Sequence, residues 1–533
     1  MLPAIFAVAG LLAYSMSFAA AFAIPKLLIF ALGLIPFAVY VVRGGSVNLR
    51  RSLLTPALPL LAVMLVSSFF AAEPWVAIVG RHNSFALGLL GVAIALAYHI
   101  AAASVSQPLW GYEFGAAWNT RGLRLIAAAG AILGVHALAQ SAGIDAGQAA
   151  TIHGHRAIAS IGSPTDLGLI LAMLLPLAAE ISPVYGGAVA LGLASTGSRG
   201  AWIAAGVGML VYLLRKKESR LRALVLLGVL AAGVAVAATF NTRPWSQSDR
   251  ERVEIWKIAL KVIKDRQIIG HGPDSFDRSF RLYKTADFVM NVHTDRNIQA
   301  DAHNDILQAA ATLGGLGLGA YLILVVAALS CLVWRTPWLG DSSPIHDAGL
   351  GSIVALLVNV KINPVPLEAL VVAGVILGYL STRESDEQPL SQPARRAVAC
   401  LAGLAVGLVM VLAAADKAAG RVDLASLELA SKINPFEVEY KSRLINAGIG
   451  ELNKTRDPLR RGQIVLAMRE HALRGVSLRP NNATAWYVAG VEATVEYELG
   501  LRERSPFPYY ERARQFDPLF GPIRMAIAQA RGL

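Results

Sequence analysis

Residues 397–415 read AVACLAGLAVGLVMVLAAA, and none of them is charged. Arg395 and Arg396 precede the run and Asp416 closes it. A helix needs roughly 20 mostly apolar residues to cross about 30 Å of hydrocarbon. Runs of similar composition recur along the chain. They predict spans near 2–23, 25–42, 53–72, 84–105, 123–143, 166–182, 184–197, 200–214, 221–240, 304–334, 347–362, 364–381 and 397–415. Only helices and closed barrels satisfy their backbone in lipid. The ten-residue alternation of a barrel strand is missing. The expected fold class is therefore an all-α polytopic membrane protein of about 12–13 transmembrane helices.

Composition points the same way. Of 533 residues, 55% are hydrophobic and 16% charged, with mean hydropathy +0.52. A soluble globular chain carries about 25% charged residues. The net charge of +12, from 48 basic and 36 acidic residues, suits basic cytoplasmic loops better than a nucleic-acid partner. Cys331 and Cys400 lie in apolar segments and offer neither a disulfide framework nor zinc spacing. The N-terminus is apolar from Leu2 and lacks a basic n-region, so a first membrane helix is expected there rather than a cleaved signal peptide.

Loop charges give an orientation. With the 43–52 loop taken as cytoplasmic, that side holds Arg43, Arg50, Arg51, Arg121, Arg124, Arg215, Lys216, Lys217, Arg220, Arg222, Arg335, Arg383, Arg395 and Arg396. The short loops opposite hold only Arg81, Arg156, Arg199 and Lys361. This bias predicts a cytoplasmic N-terminus, an outside C-terminus and an outer loop at 241–303. The few basic residues left outside are unexplained by topology.

After residue 415 the apolar runs end, which divides the chain into a membrane domain, 1–415, and an outer domain, 416–533. Three segments there share a pattern: ASLELASKINPFEVEY, REHALRGVSLRPNNATAWYVAG and YYERARQFDPLFGPIRMA. Each is an amphipathic helix stopped at Pro435, Pro480 or Pro518 and followed by a second helical start. Their spacing is close to the roughly 34 residues of a tetratricopeptide repeat. The pattern resembles a degenerate array of that type, a surface for partners or only a helical cap.

The 241–303 loop is the informative part. In RVEIWKIALKVIKD, Val253, Trp256, Leu260 and Ile263 recur at helical spacing, and Arg252 is expected to begin the helix. A guanidinium there opposes the helix dipole, which disfavours a purely structural arginine. GHGPDSF, Gly270 to Phe276, reads as a turn. His303 stands at the mouth of the next span, just before Asn304. GGLGLG at 314–319 imitates a phosphate loop but lies within a span, where packing through small residues is the expected role. Trp75, Trp245 and Trp338 are expected in the interfacial belt.

Arg252 to Trp256, the Gly270–Phe276 turn and AHNDILQ at 302–308 together resemble the O-antigen ligase and polymerase superfamily. So do TGSRGA at 196–201, IGSPTDLG at 161–168 and GRHNS at 80–84. Ser163, Thr165 and Ser84 depart from that pattern, standing where asparagines and a glycine are usual. The resemblance spans residues 60–335. It implies a GT-C-like membrane fold, C-terminal helical repeats aside, and transfer of a glycan from undecaprenyl diphosphate. It also implies an acceptor that is lipid A core, another glycan or a protein hydroxyl. It carries over His303, Arg252 and Arg199 as catalytic residues and inversion at the anomeric carbon. Arg81, Arg156 and Asn304 are expected to contact the diphosphate or glycan. The implied place is the bacterial inner membrane.

The chemistry of these residue types agrees. Arginine forks pair bidentately with phosphate oxygens and stabilise charge as a diphosphate leaves. A neutral histidine suits the removal of a hydroxyl proton near neutral pH. No Asp-x-Asp occurs, and no phosphate-loop lysine motif, so neither metal nor ATP is expected as a cofactor. His293, Asp295, Asp301 and His303, or His153 and His155, make only loose metal groupings. Each site residue has a structural alternative. Arg199 can anchor a helix end, Arg252 can pair with Glu254 or Asp249, and His303 can cap the span. A transporter would place charge within the spans, and Lys26 and Glu180 near span ends are poor evidence for one. A non-catalytic scaffold is the third class, and it would tolerate loss of His303.

Overall fold

A computed structural model of the chain describes residues 1–47, 53–104, 115–144, 156–215, 228, 245–292, 299–333, 344–381 and 388–531. Among the described residues the fold is all-α, with one short bridge between β1 (Ser46–Val47) and β2 (Gln388–Pro389). Helices α1 (Leu2–Leu12), α2 (Ile24–Leu32) and α3 (Leu34–Val42) open the chain. They are followed by α4 (Leu54–Phe69), α5 (Pro74–Val79), α6 (Leu89–Ser104) and α7 (Gly115–Ser141). Next come α8 (Pro164–Ile181), α9 (Pro183–Ser195) and α10 (Arg199–Arg215). The segment expected as the outer loop holds α11 (Trp245–Asp265), α12 (Phe276–Tyr283) and α13 (Ala286–Val292). Then run α14 (Asp305–Val333), α15 (Pro344–Asn359), α16 (Leu367–Ser381) and α17 (Gln392–Ala419).

Among the described residues, five stretches are long and apolar enough to cross a membrane: Ile24–Val42, Thr120–Ser141, Pro164–Ile181, Asp305–Ser330 and Gln392–Ala419. Shorter apolar helices accompany them, including α1, α4, α6, α9 and α16. The chain is therefore an all-α polytopic membrane protein. A helix stands at every predicted span except 221–240, which apart from residue 228 lies outside the described residues. The span expected at 2–23 is not continuous. Helix α1 ends at Leu12, and an 11-residue helix reaches only about 16 Å. The chain then turns, because the amides of Ala19 and Ala20 bond to the carbonyl and carboxylate of Asp416.

Helix α8 is the hub of the membrane core. Leu167 through Ala178 are all buried on it, and it packs against α7, α9, α10 and α15. Helix α16 lies along α6, where Gly374 and Gly378 allow close approach. A Cβ at Gly378 would come within 2.6 Å of the His99 carbonyl, as expected where small residues let helices pack closely. Buried charge is more frequent than the sequence suggested. Lys26 faces Glu368 at 3.8 Å, and Arg215 pairs with Asp347 at 2.6 Å. These charges all sit in first or last turns, where helix ends are nearest to polar surroundings.

Helix α14 is broken at Gly314, whose φ is 67°. The break receives the chain at 267–272. Gly315 N donates to Gln267 O at 2.7 Å, and Gly272 N donates to Thr312 O at 2.9 Å. A Cβ at Gly314 would stand 2.3 Å from the Ile268 carbonyl carbon. The glycine run at 314–319 thus begins with a docking point for backbone on backbone.

Beyond α17 come α18 (Leu424–Ile433), α19 (Val438–Leu452), α20 (Pro458–Leu478), α21 (Ala483–Glu498), α22 (Phe507–Phe516) and α23 (Gly521–Arg531). They pair as three hairpins, each turning at Asn434–Pro435, Arg479–Pro480 or Asp517–Pro518. Two small cores hold them, one around Leu427, Leu444, Ile464 and Met468, the other around Tyr510, Ile523 and Ile527. The array is fastened to the loops beside it. Glu73 accepts from Arg479 Nη2 at 2.5 Å and Asn482 Nδ2 at 2.8 Å. Lys284 meets Asp517 at 3.1 Å with both side chains fully buried. Trp75 stacks on Phe436 with ring centroids 4.7 Å apart, so it is a docking residue rather than a free belt aromatic. Trp338, and the side chain of Trp245, lie outside the described residues.

Candidate active site

The site is built where α11, the 299–304 turn and the 359–363 turn meet. Helix α11 begins at Trp245, so Arg252 lies two turns inside it rather than at its start. Residues 245–251 simply continue the helix. The dipole argument for Arg252 therefore fails. The buried face of α11 also differs from the expected stripe. Ile255, Ile258, Ala259 and Val262 are buried against Phe276, Phe280 and Phe288, while Val253 and Leu260 are exposed. Both series obey the helical period, and only packing decides between them.

Arg252 Nη2 donates to Asn363 Oδ1 at 3.4 Å. Glu254 instead pairs with Lys257 at 2.8 Å. Asn363 is itself held by donating to Asn359 Oδ1 at 2.8 Å. Arg199 is the first residue of α10, and its neighbour Gly200 abuts the same amide. A Cβ at Gly200 would stand 2.7 Å from Asn363 Nδ2. Asn363 thus joins the Arg252 side chain to the helix start that carries Arg199. Arg156 braces that start from behind, its Nε donating to the Thr196 carbonyl at 2.7 Å.

His303 holds a left-handed backbone, φ 49°. Its amide donates to Asp301 Oδ1 at 2.9 Å, which fixes the turn. The ring is held at one end. Gln299 Nε2 donates to Glu251 Oε1 at 2.9 Å, so the Gln299 carbonyl oxygen faces His303 Nε2 at 3.3 Å. A carboxylate accepts only, and an amide oxygen accepts only. That arrangement suits an Nε2–H donor, which in a neutral ring leaves the lone pair on Nδ1. Nδ1 has no hydrogen-bond partner among the described residues and faces Asp301 Oδ1 at 3.7 Å.

Asn304 has both ends of its side chain engaged. Its Oδ1 accepts from Ile306 N and Leu307 N at 3.0 Å, capping α14, and its Nδ2 donates to the Lys361 carbonyl at 3.2 Å. Lys361 Nζ in turn holds Asp305 at 2.6 Å, and Tyr321 donates to the same carboxylate. These contacts tie the 359–363 turn to the mouth of α14.

Arg81 stands on a tight loop closed by Gly80 and Gly88. Its amide and Nε donate to the two oxygens of Asp274, at 2.7 and 3.0 Å. Burial opposes its charge, but Asp274, Asp277 and Asp301 outweigh this and hold the guanidinium above its usual pKa. His82, one residue on, reaches the other way to Asp416 at 2.6 Å and to Tyr440 at 3.3 Å. The GRHNS loop therefore links the GHGPDSF turn to the C-terminal array.

Below the site opens a cavity of about 300 Å³ between α4, α6, α14, α15 and α16. Its body is apolar, lined by residues such as Leu60, Met64, Ala309, Leu324, Leu357 and Leu377. Its polar end consists of Asp301, His303, Asn304, Asp305, Gln308 and Asn363. Gln308 Nε2, buried there, has no hydrogen-bond partner among the described residues. No group of three metal-ligating side chains occurs among the described residues. His153, His155, His293 and Asp295 lie outside them.

Sequence reasoning did not single out Asn363, Gln299, Glu251, Gln308 or Asp274. The only signal for Asn363 was its place in K-I-N-P, a turn between two apolar runs. Gln299 and Glu251 have no local signature, since their roles arise from tertiary contact.

Fold and site together define a polytopic membrane protein with an apolar cavity whose polar end holds His303 and Asn363, the latter bound to Arg252. Residues 186–322, about a quarter of the chain, match the family model described as O-antigen ligase. Over that segment the chain is similar to the O-antigen ligase family. The matched segment contains Arg199, Arg252, His303 and Asn304, and excludes Arg81 and Arg156. Among curated proteins no match is found.

Proposed function

We propose that the protein transfers a glycan from undecaprenyl diphosphate to an acceptor hydroxyl at the outer face of the bacterial inner membrane, with inversion and without metal or ATP. The observation that carries this reading is the apolar cavity closed at one end by the His303 cluster. A polyprenyl chain suits the apolar body, and the diphosphate and first sugars suit the polar end. The N-terminus then lies in the cytoplasm and the helical array outside, in a GT-C-like arrangement with tetratricopeptide-like hairpins.

His303 Nδ1 takes the proton of the acceptor hydroxyl as its oxygen attacks the anomeric carbon. The bond from that carbon to the diphosphate oxygen breaks, and undecaprenyl diphosphate leaves. Asp301, beside Nδ1, stabilises the imidazolium that forms. Arg252 and Arg199 neutralise the charge that grows on the diphosphate. Asn304 acts by positioning, since both of its polar ends are engaged in the protein. Arg81 is likewise bound to Asp274 and sets the electrostatics of Asp301. Among acceptors, the ligase assignment to lipid A core is preferred over a growing glycan or a protein hydroxyl, following the superfamily's name.

The test fills the cavity without touching its polar end. Ala328→Trp should raise KM for an undecaprenyl donor at least tenfold and leave a short-chain polyprenyl donor little changed. Equal effects on both donors would contradict the placement of the lipid.

A further inference from the structure

The helical array carries a second cavity, of about 330 Å³, between α20, α21 and the turn at 499–506. Pockets that hold small ligands span about 300–1,000 Å³. Arg469, Arg502 and Arg504 line it together with Glu492, Glu496 and Glu503, and Leu473, Leu501 and Tyr509 add apolar surface. Glu496 is fully engaged, meeting Arg469 at 3.6 Å and Arg502 at 3.3 Å. Arg502 also lies over the Tyr509 ring, 5.1 Å from its centroid.

Glu492 is different. It stands one helical turn before Glu496, is 2% exposed, and its Oε1 has no hydrogen-bond partner among the described residues. Burial, then the neighbouring Glu496 charge and a hydrogen bond to it, push its carboxyl up to about 8. Glu492 Oε1 is therefore a buried acceptor that no described residue fills. Leaving such a group unpaired is unfavourable, and a hydroxyl entering the cavity relieves it. A cation meets three arginines. An anion meets Glu496 and Glu503, while Arg469 and Arg502 are already bound to Glu496. A sugar ring without charge both donates and accepts around its edge and lays an apolar face on Leu473, Leu501 or Tyr509.

We infer that this cavity is a binding site for a neutral sugar segment, separate from the His303 site, that holds a glycan against the helical array. The choice of a glycan as occupant rests on the transfer reading above. The cavity and its unpaired acceptor do not.

The test uses the full-length protein in lipid nanodiscs. Bacterial envelope oligosaccharides are separated into neutral, acidic and basic pools, and binding is read by saturation-transfer NMR. The neutral pool should bind wild type. Glu492→Leu should weaken that binding at least tenfold. Arg469→Ala lies on the exposed rim and leaves the fold intact, so it serves if Glu492→Leu disturbs helicity. It should weaken binding about threefold or more. Binding confined to a charged pool, binding unmoved by either variant, or no binding overturns the inference. Glycan transfer is measured on the same preparations. Transfer without binding overturns this site and spares the transfer reading, and binding without transfer does the reverse.

Discussion

Gln299 is the most informative residue to change, because its contact with His303 is indirect to the chemistry. It fixes which ring nitrogen carries the proton. The Gln299 Oε1 to His303 Nε2 contact is 3.3 Å, at the long end of the hydrogen-bond range. A neutral hydrogen bond contributes about 0.5–1.5 kcal/mol net, and about 1.4 kcal/mol is a factor of ten in rate. Gln299→Leu releases the tautomer but removes no reacting group, so kcat should fall about 2- to 12-fold. Loss of the base itself should cost about 10²–10⁴. Gln299 does not line the donor cavity, so KM for the donor should hold within about twofold. The assay is transfer of a fluorescent glycan in proteoliposomes, with kcat and KM determined separately. If Gln299→Leu matches His303→Ala, or if it changes nothing, the tautomer argument is wrong.

Four further outcomes follow from the same contacts. Asp301→Asn removes the carboxylate 3.7 Å from His303 Nδ1, and interactions with a charged partner of about 1.5–3 kcal/mol predict a loss of about 10- to 100-fold in kcat. Gly314→Ala places a Cβ against the Ile268 backbone at positive φ, so thermal stability should drop by more than the roughly 1–3 kcal/mol of backbone strain alone. Glu73→Ala strands a buried Arg479, and breaking such a pair costs about 3–5 kcal/mol, so limited proteolysis should release the helical array. His82 is a pH-sensitive latch. Burial opposes its protonation, but Asp416 and neighbouring carboxylates outweigh this and raise its pKa above 6.5. Its stabilising share is therefore complete below pH 6.5 and is lost as pH rises through the folded value. Proteolytic release of the array should speed up across that interval, and His82→Gln should flatten the dependence.

The membrane class was legible because lipid demands long uncharged runs, and the 397–415 run satisfies that demand without help from packing. Span 2–23 misled for the converse reason. Its composition is apolar throughout, but Asp416 captures the backbone of Ala19 and Ala20 from outside the segment. His303 and Arg199 stood out because they interrupt apolar sequence at span ends. Arg252 stood out for a wrong reason, since its helix starts seven residues earlier. The face of α11 could not be chosen from spacing, because two apolar series share its period. Asn363 and Gln299 were invisible, since an amide in a polar turn is ordinary until the fold sets it between two arginine-bearing elements or beside the His303 ring. The hairpin turns of the array were legible at Pro435, Pro480 and Pro518, where proline stops a helix. The docking of those turns onto Glu73 and Trp75 was not.

The most direct measurement is glycan transfer in reconstituted membranes from an undecaprenyl-diphosphate oligosaccharide, with EDTA present and no ATP, comparing wild type with His303→Ala. The account predicts transfer by wild type and a loss of about 10²–10⁴ in the variant. Equal transfer by both proteins, or none by wild type with any acceptor offered, would contradict it.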